Sequence, residues 1–374
     1  MTDSVEQNGS IMEEDIEEAI HFTRVLNSFR SYKKDALAHV LTMEKNFLQL
    51  PEAHRKLLPN HLNILSGIKT CVEQNSAICM EIVKSCGNAF QNKSYEETEN
   101  DKTTTNPRPM DLDKVRTTLK QIMRDWSEQG QVERDQCYKP IIDEINQRLP
   151  LNKDSGLNPT VLVPGCGLGR LAWELARMGY ICEGNEFSFF MLFTSNFILN
   201  RTPHSSADNF HQFTIHPWVT QKCNVSTWDS VLASVRFPDV NPALLPPSSR
   251  FSMAAGDFLD CYKKQNTWNC VATCYFIDTA HNVISYIERI FHILVPGGVW
   301  VNLGPLLYHY ADMPHESSVE FSYEQIIRIV KNVGFEVVKD QRNLDSTYVN
   351  NPTSMLQYSY KCCLLVAIKP LSNS

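Results

Sequence analysis

The chain has 374 residues, with 35 Lys and Arg against 42 Asp and Glu and a formal charge of −7 at pH 7. At roughly 150 residues per domain this length makes one large or two ordinary domains. A content of 43% hydrophobic and 21% charged residues excludes a disordered or collagen-like chain. The negative balance argues against a long surface tracking nucleic-acid phosphates. No uninterrupted apolar run reaches the roughly 18 residues that a membrane span needs, so neither nucleic acid nor membrane is an expected partner.

The opening MTDSVEQNGSIMEED is polar and acidic, unlike a secretory signal. The cytosol, with the nucleus as a second location, is therefore expected, and the twelve cysteines are expected as free thiols there. No CxxC pair occurs, and Cys270, Cys274, Cys362 and Cys363 lie in apolar, strand-like runs, so no metal is expected. The sequons at Asn8, Asn92, Asn200 and Asn224 then go unused.

Residues 1–10 read as a loose, disordered tail and 11–90 as an N-terminal helical region. Ile16, Ala19, Ile20 and Leu26 share one helical face, and Leu62, Leu65, Ile68 and Val72 share another. Cys71, Cys79 and Cys86 follow near-heptad spacing, and Pro51 and Pro59 punctuate the stretch. Residues 91–110 form a polar, Thr-rich linker with Pro107 and Pro109. Asp111 is then a plausible N-cap for a helix to Trp126, followed by a second helix over about 132–149; residues 111–150 lead into the core and cover the ligand.

From 151 to 374 the character changes. Short apolar runs at 160–163, 180–183, 268–277 and 299–303 alternate with helical segments at 170–178, 188–199, 281–294 and 323–333. That alternation predicts an α/β fold with a mainly parallel, doubly wound sheet. The closing runs 336–341 and 355–368 have no helix between them and predict an antiparallel hairpin at the sheet edge. Residues 201–250, rich in Pro, Ser and Asn, read as an insertion over the site.

The strand at Thr160 runs into Pro164-Gly-Cys-Gly-Leu-Gly-Arg170 and then a helix. Gly165, Gly167 and Gly169 allow a tight turn and a close ligand approach; a plain strand-to-helix turn is the competing reading. Glu186 falls seventeen residues after Gly169, where a carboxylate accepts both hydroxyls of a ribose. Asp257 in Ala255-Gly-Asp-Phe258 suits an adenine amino group, with Phe258 beside the ring. Leu294-Val-Pro-Gly-Gly-Val-Trp300 is a helix stop followed by a strand. The glycine turn lacks the GxGxxG step that accommodates a dehydrogenase pyrophosphate.

Together these residues resemble the class I S-adenosylmethionine-dependent methyltransferase family over 155–305. The resemblance implies a seven-stranded Rossmann-like sheet with S-adenosylmethionine as methyl donor. Many members carry an acid two residues before the first glycine, where this chain has Val163. The methionine end of the donor must then be held elsewhere. Gln121 and Arg124 share a helical face at i, i+3, and Arg124 offers a fork suited to a carboxylate. Gln131 and Arg134 repeat the spacing and compete with them; surface charge is the alternative for each arginine.

The acceptor must be read from the strand ends. Asp278 in Cys274-Tyr-Phe-Ile-Asp-Thr-Ala-His-Asn282 is either a helix N-cap or a substrate anchor. Gly304-Pro-Leu-Leu-Tyr-His-Tyr310 sets His309, with Tyr308 and Tyr310, over the same mouth, and Tyr348, Tyr358 and Tyr360 come from the final hairpin. The strings GNEFSFFMLFTSNFILN, CYFIDTAHN, NLGPLLYHY and RDWSEQG resemble, within that family, the branch acting on the imidazole of carnosine (β-alanyl-histidine). This implies methylation of the imidazole π nitrogen to give anserine, with Asp278 catalytic. It also implies substrate contacts from Asp278, His309, Tyr348 and Tyr360, an aromatic wall at Tyr275 or Phe276, and a homodimer. Histidine within proteins is the alternative acceptor, and a non-catalytic cofactor-binding scaffold the alternative class.

Overall fold

The computed structural model describes residues 2–89, 105–151, 158–201, 211–246 and 249–371; of 2–15 and 87–89 only the backbone path is described. The linker expected at 91–110 therefore lies mostly outside the described residues. Two compact units emerge: residues 1–128, 193–243 and 351–357 form one, and 129–192, 244–350 and 358–374 the other.

The first unit is built on α1 (Thr2–Leu48), α2 (Glu52–Arg55), α3 (His61–Ala89) and α4 (Pro109–Trp126). Helix begins at Thr2 rather than after a loose tail at 1–10. The chain before Pro51 carries no proline to interrupt a helix. The buried stripe of α1 is Phe22, Val25, Phe29, Tyr32, Ala36 and Val40, a spacing of three and four. The period matches expectation but the phase does not: Ile16 is exposed and Leu26 only half-buried. On α3, Leu65, Ile68, Val72, Cys79, Ile82 and Cys86 face inward, whereas Leu62 is exposed.

The insertion expected at 201–250 carries regular structure: β3 (Phe213–Ile215) and β4 (Val235–Phe237) form a two-stranded antiparallel sheet, with α8 (Trp228–Leu232) between them. These elements belong to the helical unit, which is therefore not all-helical. Buried Asn75 explains the association: its amide donates to the Tyr32 hydroxyl (3.0 Å) and the His216 carbonyl (2.9 Å), and its oxygen accepts the His216 N–H (2.7 Å). Helix α4 is capped at Arg108, three residues before the expected Asp111, with Pro109 in its first turn. Asp111 is not the N-cap; its carboxylate reaches back to accept the Arg108 N–H at 3.0 Å.

The second unit holds a seven-stranded sheet in the order β5 (Arg250–Ala255), β2 (Ile181–Glu186), β1 (Thr160–Pro164), β6 (Trp268–Cys274), β7 (Leu294–Gly304), β9 (Tyr360–Ile368), β8 (Glu336–Ser346). The first five are parallel, and β9 runs antiparallel to both neighbours. Alternation along each strand sends Val161 and Val163 to one face, under α5 (Gln131–Arg148) and α6 (Arg170–Met178). Leu162, Val271 and Trp300 go to the other, under α9 (Phe258–Cys261), α10 (Val283–Ile293) and α11 (Tyr323–Val333). Burial on both faces is why the strands read as unbroken apolar runs. The order reverses between β1 and β6, so the crevice for a ligand opens at the carboxyl ends of these strands. The terminal hairpin is longer in β8 and shorter in β9 than expected: Tyr358 precedes the strand and is exposed, so it does not share a strand face with Tyr360.

Candidate active site

At the end of β1 the chain turns through Gly165, Gly167 and Gly169, each with positive φ. Gly165 is required twice over: its φ is +62°, and a Cβ there would lie 2.3 Å from the Phe276 ring. The turn is stitched to the end of β2. The Cys166 N–H donates to the Asn185 carbonyl (3.0 Å), and the Gly167 N–H to Glu186 Oε2 (2.8 Å). Glu186 Oε1 accepts the Phe187 and Ser188 N–H groups at 2.9 and 2.8 Å. Burial pushes the Glu186 carboxyl above its ordinary pKa, and these three N–H bonds oppose that shift. A carboxylate has about four lone-pair positions, so with three N–H groups bound about one remains for a ribose hydroxyl. Asn185 in turn donates to the Gly256 carbonyl (2.9 Å), fixing the end of β5.

Asp257 caps α9, accepting the Leu259 N–H through Oδ1 at 2.7 Å. The Phe258 ring is buried in a cluster with Phe276 (5.6 Å, perpendicular) and Tyr286 (5.3 Å). Tyr286, not singled out from sequence, stacks on Phe276 at 4.8 Å, and burial raises its hydroxyl to about 12. Its spacing of three from buried Val283 on α10 was the available signal. Phe276 thus packs against the glycine turn.

Asp278 sits in a short 3-10 turn, Ile277–Thr279, after β6. It is not the cap of the following helix: Asn282 does that, accepting the Ile284 N–H at 3.0 Å. Only 2% of Asp278 is exposed. Its Oδ2 accepts the Leu307 N–H (2.7 Å), and its carbonyl accepts the His309 N–H (3.0 Å). Its Oδ1 is buried and has no hydrogen-bond partner among the described residues. Burial raises the carboxyl pKa above the usual range, against the Leu307 bond and nearby His309. An orphaned buried carboxylate oxygen is costly, and a donor from a ligand removes that cost.

Tyr275, at φ +53°, turns its side chain among groups from the hairpin. Its hydroxyl donates to Ser346 Oγ at 2.7 Å and lies 3.4 Å from Cys362 Sγ. Its ring centroid is 4.9 Å from Tyr348 and 6.0 Å from Tyr360. Gly304 permits this turn, since a Cβ there would meet the Tyr275 backbone at 3.2 Å. His309 is exposed on the same segment. Its two neighbours do other work: the Tyr308 hydroxyl bonds both the carbonyl (2.6 Å) and the N–H (2.9 Å) of Phe321, and Tyr310 stacks on His281 at 3.6 Å.

Of the two pairs considered for the donor's methionine end, Gln121 and Arg124 on α4 are both buried, Arg124 paired with Asp125 at 2.7 Å. Arg134 on α5 is buried, but Gln131 is exposed and donates to Asp135 at 2.6 Å. Neither arginine is a surface charge.

Residues 101–371 match the family described as carnosine N-methyltransferase. The chain belongs to that family, and it is a methyltransferase. It is similar to the mouse carnosine N-methyltransferase, with 46% identity over 97% of this chain and 89% of the mouse protein. The rat protein of the same name is 47% identical over the same shares. A fruit-fly relative, Carnosine N-methyltransferase unmet, is 40% identical over 95% of this chain and 80% of its own. Among solved structures the chain aligns with an S-adenosylmethionine-dependent methyltransferase from Methanosarcina mazei at TM-score 0.39 and 14% identity, covering 62% of this chain and 98% of that one.

Proposed function

We propose that this enzyme transfers a methyl group from S-adenosylmethionine to the imidazole π nitrogen of carnosine, giving anserine. The observation that carries the acceptor is the buried Oδ1 of Asp278, without a partner among the described residues, at the strand end that also bears Tyr275, whose ring meets Tyr348 and Tyr360 from the final hairpin. The names of the relatives point to the same substrate.

The donor fits the residues present. Glu186 retains about one acceptor position for a ribose hydroxyl, and Asp257 suits the adenine amino group; Gln121 and Arg124 remain the residues that the sequence offers for the methionine carboxylate. When bound, S-adenosylmethionine supplies an electrophilic methyl group on a cationic sulfonium. The protein's own task is to present an imidazole lone pair. With an ordinary pKa near 6.5, imidazole is mostly neutral at pH 7, so no strong base is needed. Asp278 Oδ1 accepts the N–H of one ring nitrogen, which leaves the π nitrogen bare and aimed. As the ring turns cationic the carboxylate interaction strengthens, lowering the barrier. The proton on the bonded nitrogen then passes to Asp278, whose raised proton affinity suits that role, and on to solvent. His309, Tyr348 and Tyr360 hold the dipeptide, keeping nucleophile and methyl group aligned. A homodimer and a cytosolic or nuclear location, both implied by the resemblance, belong to this proposal.

Labelled S-adenosylmethionine incubated with carnosine, free histidine and longer His peptides tests the reading. Transfer to carnosine with product identical to anserine by mass and NMR is expected. Preferred transfer to protein histidine moves the substrate class, and no transfer to any acceptor overturns the proposal.

A further inference from the structure

The tyrosine that completes the acceptor wall stands on an irregular segment, Thr347–Asn350, which follows β8 and belongs to no helix or strand. Val349 in that segment has φ +46°, a left-handed conformation that a β-branched side chain strongly resists. Something must hold it there. Buried Glu133, in the first turn of α5, grips two consecutive amides: Oε2 accepts the Val349 N–H at 2.9 Å and Oε1 the Asn350 N–H at 2.8 Å. One turn along α5, Gln136 Oε1 accepts both the N–H (2.9 Å) and the hydroxyl (3.2 Å) of Thr347. Tyr348 lies between the two grips, its ring 4.9 Å from Tyr275.

We infer that Glu133, assisted by Gln136, is a positioning residue for the acceptor site: it clamps Thr347–Asn350 in a strained backbone so that the Tyr348 ring is held against Tyr275. The inference rests on the acceptor reading above and deepens it. Both Glu133 oxygens accept backbone amides of the segment, so its action on the site runs through Tyr348. A bidentate, charge-assisted grip on adjacent N–H groups is stronger than a pair of neutral bonds, which is what a disfavoured φ demands. The first turn of a helix also favours a carboxylate there.

The full-length enzyme with Glu133→Gln tests this. The amide keeps one accepting oxygen and turns an NH2 toward the other backbone donor. The expected result is a rise of about tenfold or more in the carnosine KM, while S-adenosylmethionine affinity by calorimetry stays within about twofold of the parent. Backbone amides of Val349 and Asn350 should exchange hydrogen faster, measured without any substrate. Adding Val349→Gly should recover part of the KM, because glycine accepts positive φ without a clamp. Equal losses in carnosine KM, kcat and donor affinity, or unchanged amide exchange, overturn the inference in favour of a packing role. Should Glu133→Gln fail to fold, Gln136→Ala is read by the same two measurements, with a smaller shift expected. If the parent enzyme does not methylate carnosine, the acceptor reading fails, and amide exchange still judges the clamp.

Discussion

The two ends of the site are built on different principles. At the donor end, the glycine turn, Glu186 and Asp257 are tied by backbone amides to the ends of adjacent parallel strands. Each piece is a continuous strand-turn-helix unit, and its geometry is local. At the acceptor end, Asp278, Tyr275, His309, Tyr348 and Tyr360 come from four separate segments joined by side-chain bonds, such as Tyr275 to Ser346 and Leu307 to Asp278. Strain is concentrated there too, with Tyr275, Tyr308 and Val349 all at positive φ. On the function proposed above, donor binding belongs to the sheet itself, whereas acceptor recognition is an assembly whose parts can be perturbed one by one.

Four measurements break or sharpen that contrast. The largest effect is expected from Asp278→Asn: kcat should fall on the order of a thousandfold, as for loss of a group stabilising transition-state charge, with donor affinity within about threefold. Comparable loss of both would merge the two ends and sink the assignment. Next is Gly165→Ala, which forces a Cβ against Phe276 at a left-handed φ. The backbone term alone is about 1–2 kcal/mol, so donor affinity by calorimetry should weaken about tenfold, with the melting temperature lowered. An unchanged donor affinity would contradict the close approach.

The pH profile comes third. Protonating the imidazole removes its lone pair, and protonating Asp278 removes the acceptor; burial makes the latter occur at higher pH than for an ordinary carboxylate. Activity must therefore fall as pH falls. The acid limb of log kcat/KM should start with a slope of about one below pH ~6.5 and steepen toward about two as Asp278 protonates, with the fold monitored by circular dichroism. A slope that never steepens while the fold persists removes Asp278 from the proton balance. The smallest effect is Tyr275→Phe, which deletes the bond to Ser346. About 1 kcal/mol for one neutral hydrogen bond gives a rise of roughly fivefold in carnosine KM, with donor affinity unmoved.

The same local-versus-assembled division decides what could be read from the residues alone. The sheet, its edge hairpin and the glycine turn were legible because alternation of apolar runs and positive-φ glycines are short-range signals. That Asp278 does not cap α10 became decidable only when Asn282 proved to do so. Tyr308 and Tyr310 share a hexapeptide with His309, yet their partners, Phe321 and His281, lie far along the chain. The phase of α1 was missed because Ile16 and Phe22 fit the same period, and only tertiary packing selects between them. Glu133 could not have been found from spacing at all, since its partners are more than two hundred residues away.

The antiparallel hairpin that carries Tyr348 and Tyr360 leaves β8 as the outermost strand. An open edge of eleven residues is an invitation to cross-chain pairing and aggregation. Here the register slips twice against β9, between Val337 and Lys339 and between Gln341 and Leu344, and Asn343 takes φ +60°. Along the same stretch Lys339 bonds Glu144, Arg342 bonds Asp340, and Lys361 bonds Asp345. Bulges bend the edge away from a flat template, and committed charges would have to be stripped of partners before another strand could add. The edge beside the proposed acceptor residues is thereby also defended against pairing with another chain.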